Sequence, residues 1–285
     1  MTRSGRPNIQ GRCPGEYGRA IQIWDHKSGR GRLWCRPMSP RAPADTSLRN
    51  LVYDQLRDGL TAGRFTPGQK LTFRAIAGSL GVSMTPVREA IRRMVAEGAF
   101  EMQPSRSVRV PLLTRDRVLE LRDLRMAVEG MGAAKAALVA TRAEVGRLCR
   151  IADELMAARR RGDFATDRER IRAFHFGVAA IARQPALQRI VEGLWLQTGP
   201  YLNLLYPDYV ASPHGPERRR RLIEALQSHD PATARREMEA DIGGALTYVA
   251  GLADASGRIA PALPVPARRR RRPVSAPPAG GFAFA

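Results

Sequence analysis

From residue 114 to residue 254 apolar side chains return every three or four positions, interrupted only by short turn signals. That period suits helices laid against one another and fits no run of strands, so this half of the chain is expected to be an antiparallel all-helical bundle. Candidate helices span 115–140, 142–161, 166–183, 185–205, 216–228 and 231–252. Thr114 and Thr141 each precede a charged residue by three positions, and Asp230-Pro231 places a proline in a first helical turn. Aromatic residues are only 6% of the chain, and the remaining apolar residues are mostly Ala, Leu and Val. That mixture favours helix over sheet. No repeat of fixed period is visible.

Residues 46–112 follow a different grammar. Leu48, Leu51, Val52, Gln55, Leu56 and Leu60 give a first amphipathic helix, closed by Gly63-Arg64-Phe65-Thr66-Pro67-Gly68. A short helix over Phe73–Leu80 leads into the turn Gly81-Val82-Ser83. A third helix runs to about Glu97, with Ser83 as a candidate N-cap, Thr85 as an alternative and Pro86 in the first turn. Gly98 ends it. Two β-prone stretches follow, Ala99–Gln103 and Ser107–Val110, joined by Pro104-Ser105-Arg106. Helix, helix, turn, helix, hairpin is the order of a winged helix-turn-helix, whose second motif helix enters the DNA major groove N-terminus first. Ser83, Met84, Thr85, Arg88 and Arg92 would face the groove, while Val87, Ile91 and Val95 face inward and Met94 sits near the boundary. Arg88 can fork onto guanine or hold a phosphate. Arg74 would reach the backbone, and Arg106 at the hairpin tip the minor groove.

Charge supports this division. The net formal charge is +20. Residues 46–113 carry ten Lys/Arg against five Asp/Glu, whereas 114–255 are nearly balanced at 22 against 19. A basic module beside a near-neutral one points to a polyanion partner for the first alone. Residues 1–45 and 255–285 are basic and rich in Gly, Pro and Arg, and both are expected to be disordered. Arg268 to Arg272 make the second an Arg-rich tail, and Met38 is an alternative start of translation. Genome-wide arginine enrichment is the competing explanation for both tails. Three cysteines without a CxxC pair argue against a disulfide framework and a zinc ribbon. No membrane span, secretory leader, nucleophile elbow or phosphate-cradling loop is recognisable, so a cytoplasmic protein that is not an enzyme is expected.

The strings Val52-Tyr53-Asp54-Gln55-Leu56-Arg57, Gly63–Leu71, Leu80–Met94 and Glu97-Gly98 together resemble the GntR-type winged helix over about 65 residues. By that resemblance Arg74 and Arg88 fall where family members hold DNA. Met84 stands where the family usually has Arg, and Ser107 where the wing usually has Gly. Leu121–Glu129, Ala173-Phe174-His175, Leu222–Leu226 and Pro231–Met238 resemble the all-helical (FCD) effector domain of the FadR-like branch. The resemblance implies a homodimeric repressor on an inverted-repeat operator in double-stranded DNA, released by a small organic acid. Many members of that branch bind a divalent metal through an Asp four residues before the central His and two later His. Here only His175 remains: Ile171 holds the Asp position, and Arg219 and Asp241 fall at the other two. No metal or other cofactor is therefore expected. Three readings of Arg125, His175, Arg219 and Asp241 stay open. Arg219 and Asp241 pair across the cavity; or Arg125 and Arg219 bind a carboxylate effector; or His175 is a satisfied interior histidine in a vestigial pocket. Trp195, Tyr201, Tyr206 and Tyr209 line a pocket or belong to the core. The alternative function is a constitutive DNA-binding protein whose helical domain only dimerises.

Overall fold

The computed structural model describes residues 21–25, 30–34, 46–104, 106–212 and 214–260. Most of the two basic extensions lies outside these residues. Within the first, however, β1 (Ile21–Asp25) pairs antiparallel with β2 (Arg30–Trp34), Ile21 opposite Trp34. Over these ten residues the structure departs from the disorder expected; the rest of 1–45 lies outside the described residues. The two five-residue runs carry β-prone Ile and Trp, which the surrounding Gly and Arg content obscured.

The winged helix comprises α1 (Thr46–Thr61), β3 (Lys70–Thr72), α2 (Phe73–Leu80), α3 (Met84–Ala96), β4 (Glu101–Gln103) and β5 (Ser107–Arg109). Val52, Leu56 and Leu60 of α1 meet Val87, Ile91 and Met94 of α3 and Val108 of β5 in one buried cluster. Met94 is wholly buried, deeper than its expected boundary position, while Val95 is half-buried. The sheet order is β3-β5-β4, so the expected hairpin gains a third strand. Lys70–Thr72 is too short to read as a strand alone and is recruited by pairing, Leu71 opposite Val108. Thr72 then caps α2 by accepting from Ala75 N at 3.1 Å. Gly81, at φ 68°, supplies the left-handed turn between the two motif helices. Ser83 occupies the N-cap position of α3 with extended backbone, but its side chain makes no capping bond. The position was read correctly; the bond is absent.

The bundle comprises α4 (Arg115–Val139), α5 (Arg142–Arg160), α6 (Phe164–Ile181), α7 (Pro185–Thr198), α8 (His214–Gln227) and α9 (Pro231–Gly251). Side-chain caps start four of them, at Thr114, Thr141, Asp163 and Asp230. The Asp163 cap moves the start of α6 two residues ahead of the expected 166. The expected single helix 185–205 breaks at Gly199-Pro200 and tightens into a 3-10 segment, Gly199–Leu205. Proline has no N–H to continue the α-helical ladder. α4 and α9 pack along each other, with Leu121, Ala133 and Ala136 of α4 and Met238, Ile242 and Leu246 of α9 in the same buried cluster.

Residues 255–260 are not disordered tail. Asp254 accepts from Ser256 N and Arg258 N, which turns the chain back. Ile259 is then fully buried and donates its N–H to Leu113 O at 2.9 Å. The bundle therefore clasps the linker between the two domains. Tyr201 holds the same linker, donating to Pro111 O and accepting from Leu113 N.

Candidate functional site

Helix α3 shows one apolar and one polar side. Val87, Ile91 and Met94 are buried, while Ser83, Thr85, Arg88 and Arg92 are exposed. Arg92 leans toward Glu89 at 3.4 Å, a loose surface pair. Arg74, Arg88 and Arg106 are exposed and have no carboxylate partner among the described residues. Arg106 tips the wing with a positive φ of 53°, and the Ser107 hydroxyl closes that turn by donating to Pro104 O at 2.7 Å. The structure thus brings Arg74, Ser83, Thr85, Arg88, Arg92 and Arg106 onto the exposed side of the winged helix. Met84 differs: it is half-buried and packs against the domain core, as a thioether does more readily than the guanidinium usual there.

The second cluster lies inside the bundle. A cavity of about 50 Å³ is bordered by Arg125, Arg159, His175, Trp195, Arg219 and Asp241 among others. All four residues singled out from sequence, Arg125, His175, Arg219 and Asp241, meet there. What ties them together is Glu129, one helical turn beyond Arg125. Its Oε1 accepts from Arg125 Nε at 2.6 Å and from Trp195 Nε1 at 3.2 Å; its Oε2 lies 2.8 Å from His175 Nδ1. On the other side of the ring, His175 Nε2 lies 3.4 Å from Asp241 Oδ2, which is 3.3 Å from Arg219 NH1. Arg125 also donates to Thr198 and stacks 4.1 Å above the Trp195 ring. An arginine–carboxylate–imidazole–carboxylate–arginine chain thereby links α4, α6, α9 and α8.

Electrostatics follow from burial and pairing. Burial alone would raise the Glu129 carboxyl, but Arg125 and His175 outweigh it and hold it at about 2. Asp241 behaves alike: burial opposes ionisation, Arg219 and His175 overcome it, and the carboxyl sits at about 2. His175 is raised, because the two carboxylates outweigh the burial that would otherwise lower it. Arg159, half-buried at the cavity wall, lies 3.3 Å from the buried Asp167, to which Tyr206 donates at 2.6 Å. Burial and the Asp167 charge raise the Tyr206 hydroxyl far above its ordinary value.

The region 48–110 matches the model for bacterial regulatory proteins of the gntR family, and 120–244 that for the FCD domain. The HTH-type transcriptional regulator McbR of Escherichia coli K12 is 31% identical over 160 residues, spanning 56% of this chain and 72% of McbR. The chain belongs to the GntR family, in its FadR-like, FCD-bearing branch. The solved structure of E. coli McbR/YncC superposes with a TM-score of 0.65 at 28% identity, covering 69% of this chain and 94% of that one. A GntR-type regulator from Rhodococcus sp. RHA1 superposes at 0.60 over 72% of this chain and 99% of its own; at 20% identity it shows the fold alone. A relative named as a D-xylose utilization operon transcriptional repressor, from Paenarthrobacter nicotinovorans, is 28% identical over 65% of this chain and 83% of its own. This GntR-family protein is accordingly a DNA-binding transcriptional regulator rather than an enzyme. Among the described residues no helix is long and apolar enough to cross a membrane.

The FCD pocket of this regulator does not suit a divalent cation. Both ring nitrogens of His175 already face carboxylates, so no lone pair points into open space. Ile171 offers no donor, and the Arg219 guanidinium stands beside Asp241, where a cation would be repelled. Trp195 is both wholly buried and part of the cavity wall, while Tyr201 and Tyr206 serve the linker and Asp167. Sequence reasoning passed over Glu129, Arg159 and the role of Asp167. The Arg125-x-x-x-Glu129 spacing, an i,i+4 pair of opposite charge on one helix face, was the available signal for Glu129.

Proposed function

We propose that this GntR-family regulator is a homodimeric repressor that binds an inverted-repeat operator and whose affinity is set by a small organic acid in the FCD pocket. One observation carries the effector reading. The cavity wall presents Arg125, Arg159, Arg219 and His175 against a single lining carboxylate, Asp241. Such an excess of donors favours an anion. About 50 Å³ is room for a few waters or one carboxylate group, so the rest of an acid needs the wall to move. The wall that can move is the 3-10 segment. Leu202 and Leu205 line the cavity, whereas Asn203 donates to Gly63 O at 2.8 Å and Phe65 O at 3.0 Å in the turn after α1. Displacing this segment would shift the winged helix, and an acid binding the two arrangements unequally would change operator affinity.

The test is a titration of Trp195 fluorescence with a panel of small mono- and dicarboxylates, repeated on Arg219→Ala, followed by operator gel shifts with any acid that responds. A saturable response lost in Arg219→Ala, together with weakened operator binding, supports the reading. No response across the panel overturns it.

A constitutive regulator is the second reading, and one observation favours it. Each pocket arginine already has a protein carboxylate: Arg125 with Glu129, Arg159 with Asp167 and Arg219 with Asp241. The network is therefore complete without a ligand. Gel shifts unchanged by a total extract of cell metabolites would decide for it.

A further inference from the structure

We propose that the arginines Arg268 to Arg272 hold phosphates of the DNA duplex beside the winged helix, and that the clasp at residues 254–259 aims them there. Arg258 bridges Thr114 in antiparallel register. Arg115 N donates to Gly257 O at 2.8 Å, and Ile259 N to Leu113 O at 2.9 Å. Antiparallel register fixes direction. The chain therefore leaves Ile259 heading back along the linker, toward Leu112 and the winged helix. Leu112 itself packs over Gly68, in the turn before β3. This root is firmly held, because Ile259 is fully buried and Tyr201 fixes Leu113. Ala260 is exposed, so the chain is handed to solvent at the base of the wing and not to the bundle core.

Reach and charge complete the argument. Arg106 at the wing tip comes seven residues before Leu113, so it lies within about 25 Å of the clasp. Arg268 and Arg272 come eight and twelve residues after Ala260, a span of at most about 30 to 40 Å. The five arginines can therefore reach DNA that the wing touches. Arginine enrichment alone does not account for them. Over 114–255 the chain balances 22 Lys/Arg with 19 Asp/Glu, whereas no Asp or Glu follows Asp254. A basic segment without acids suits a polyanion. DNA is the polyanion favoured here, because the winged helix already holds it within the tether's length. At that distance an attached segment meets its target at an effective concentration on the order of millimolar. Contacts of this kind count charge and read no sequence, so they add affinity on any duplex.

The experiment uses the full chain and a fluorescent duplex of random sequence, about four helical turns long. Binding is followed by anisotropy across a salt series for wild type, for a variant with Arg268→Ser through Arg272→Ser, and for one with the same five positions changed to Lys. Thermal melting should be the same for all three, because the substitutions lie beyond the clasp. Five phosphate contacts correspond to a slope of about 4.5 in log affinity against log salt. The serine variant should lower the wild-type slope by at least about 2, so that wild type loses about 15-fold more affinity between about 50 and 200 mM salt. The lysine variant should keep the wild-type slope, since a phosphate accepts either cation. Ala267→p-benzoylphenylalanine should cross-link to the bound duplex on irradiation. A slope lowered by less than about 2 in the serine variant overturns the proposal, as does a lysine variant that behaves like the serine one. Cross-linking to protein alone overturns the placement. An unchanged slope with binding lost instead to vesicles of equal parts phosphatidylcholine and phosphatidylserine would assign the arginines to a membrane surface, and overturns the DNA contact.

Discussion

Replacing Glu129 by Gln should destabilise the bundle more than any other isosteric change in it. The Glu129 carboxylate is essentially inaccessible and serves Arg125, His175 and Trp195 at once. A carboxyl held at about 2 rather than its ordinary 4.5 corresponds to roughly 3 kcal/mol of stability at neutral pH. Removing one partner of a buried pair strands the other, at a cost of about 3–5 kcal/mol by mutational precedent. The two routes agree. For a chain of this size that loss lowers the melting temperature by about 6–12 °C, at roughly 2–4 °C per kcal/mol. Thermal unfolding followed by circular dichroism at pH 7 measures it. The control is the double variant Arg125→Met with Glu129→Leu. It removes both charges and keeps apolar volume, so it should recover most of the loss. Melting of Glu129→Gln within about 2 °C of wild type would show that the network contributes little. A double variant as damaged as the single one would show that packing, not the stranded Arg125 charge, sets the penalty.

Other outcomes follow from the same contacts. Stability should fall as pH drops from the ordinary carboxylate range toward 2, where Glu129 and Asp241 finally take protons, and should fall again as pH rises through the raised value of His175, whose charged form is the one the fold holds; melting temperature against pH should show both limbs, and His175→Gln should flatten the alkaline one. Arg88→Ala should weaken operator binding about 10–100-fold in gel shifts with an unchanged melting temperature, because its side chain is exposed on α3. Ile259→Ala should cost about 1–3 kcal/mol in denaturant unfolding, since the side chain is fully buried beside the linker; no loss would mean that residues past α9 do not clasp it. Asn203→Ala should leave effector-induced fluorescence changes in place while reducing their influence on operator affinity, because it removes the two bonds to the turn after α1.

Much of this was legible in the order of residues, and the reason differs by region. Strong helical periodicity and end signals placed the helices, since Thr114, Thr141 and Asp230 cap by local bonds that sequence alone specifies. The 3-10 segment was misread because Leu202 and Leu205 keep a helix-like apolar spacing across Gly199-Pro200. β3 was missed because its partner, β5, lies 37 residues on, and three residues carry no period of their own. The pocket residues Arg125, His175, Arg219 and Asp241 were found through resemblance, but their mutual distances come from the packing of four helices. Glu129 was hidden for a plainer reason: an i,i+4 Arg–Glu pair is usually a surface decoration, and only tertiary packing shows that this one is buried.

The same network shows how charged residues can join the helices that a metal constellation would join. A divalent ion would join its helices through one centre. Here Arg125 and Glu129 pair along α4, and three contacts of 2.8 to 3.4 Å then join Glu129 to His175 on α6, His175 to Asp241 on α9 and Asp241 to Arg219 on α8. Such a chain is less symmetric than a metal site. The Glu129 contacts are short, whereas those of Asp241, at 3.3 and 3.4 Å, are long for charge-assisted bonds. On the proposed effector reading, the Asp241 end is where an incoming carboxylate would compete, accepting hydrogen bonds from Arg219 and His175 Nε2 while the Glu129 end stays whole. Arg219 and Asp241 border the same cavity as Leu202 and Leu205 of the 3-10 segment. The weaker half of the network thus faces the element that grips the DNA-binding domain, and the stronger half, anchored on Trp195, holds the core together.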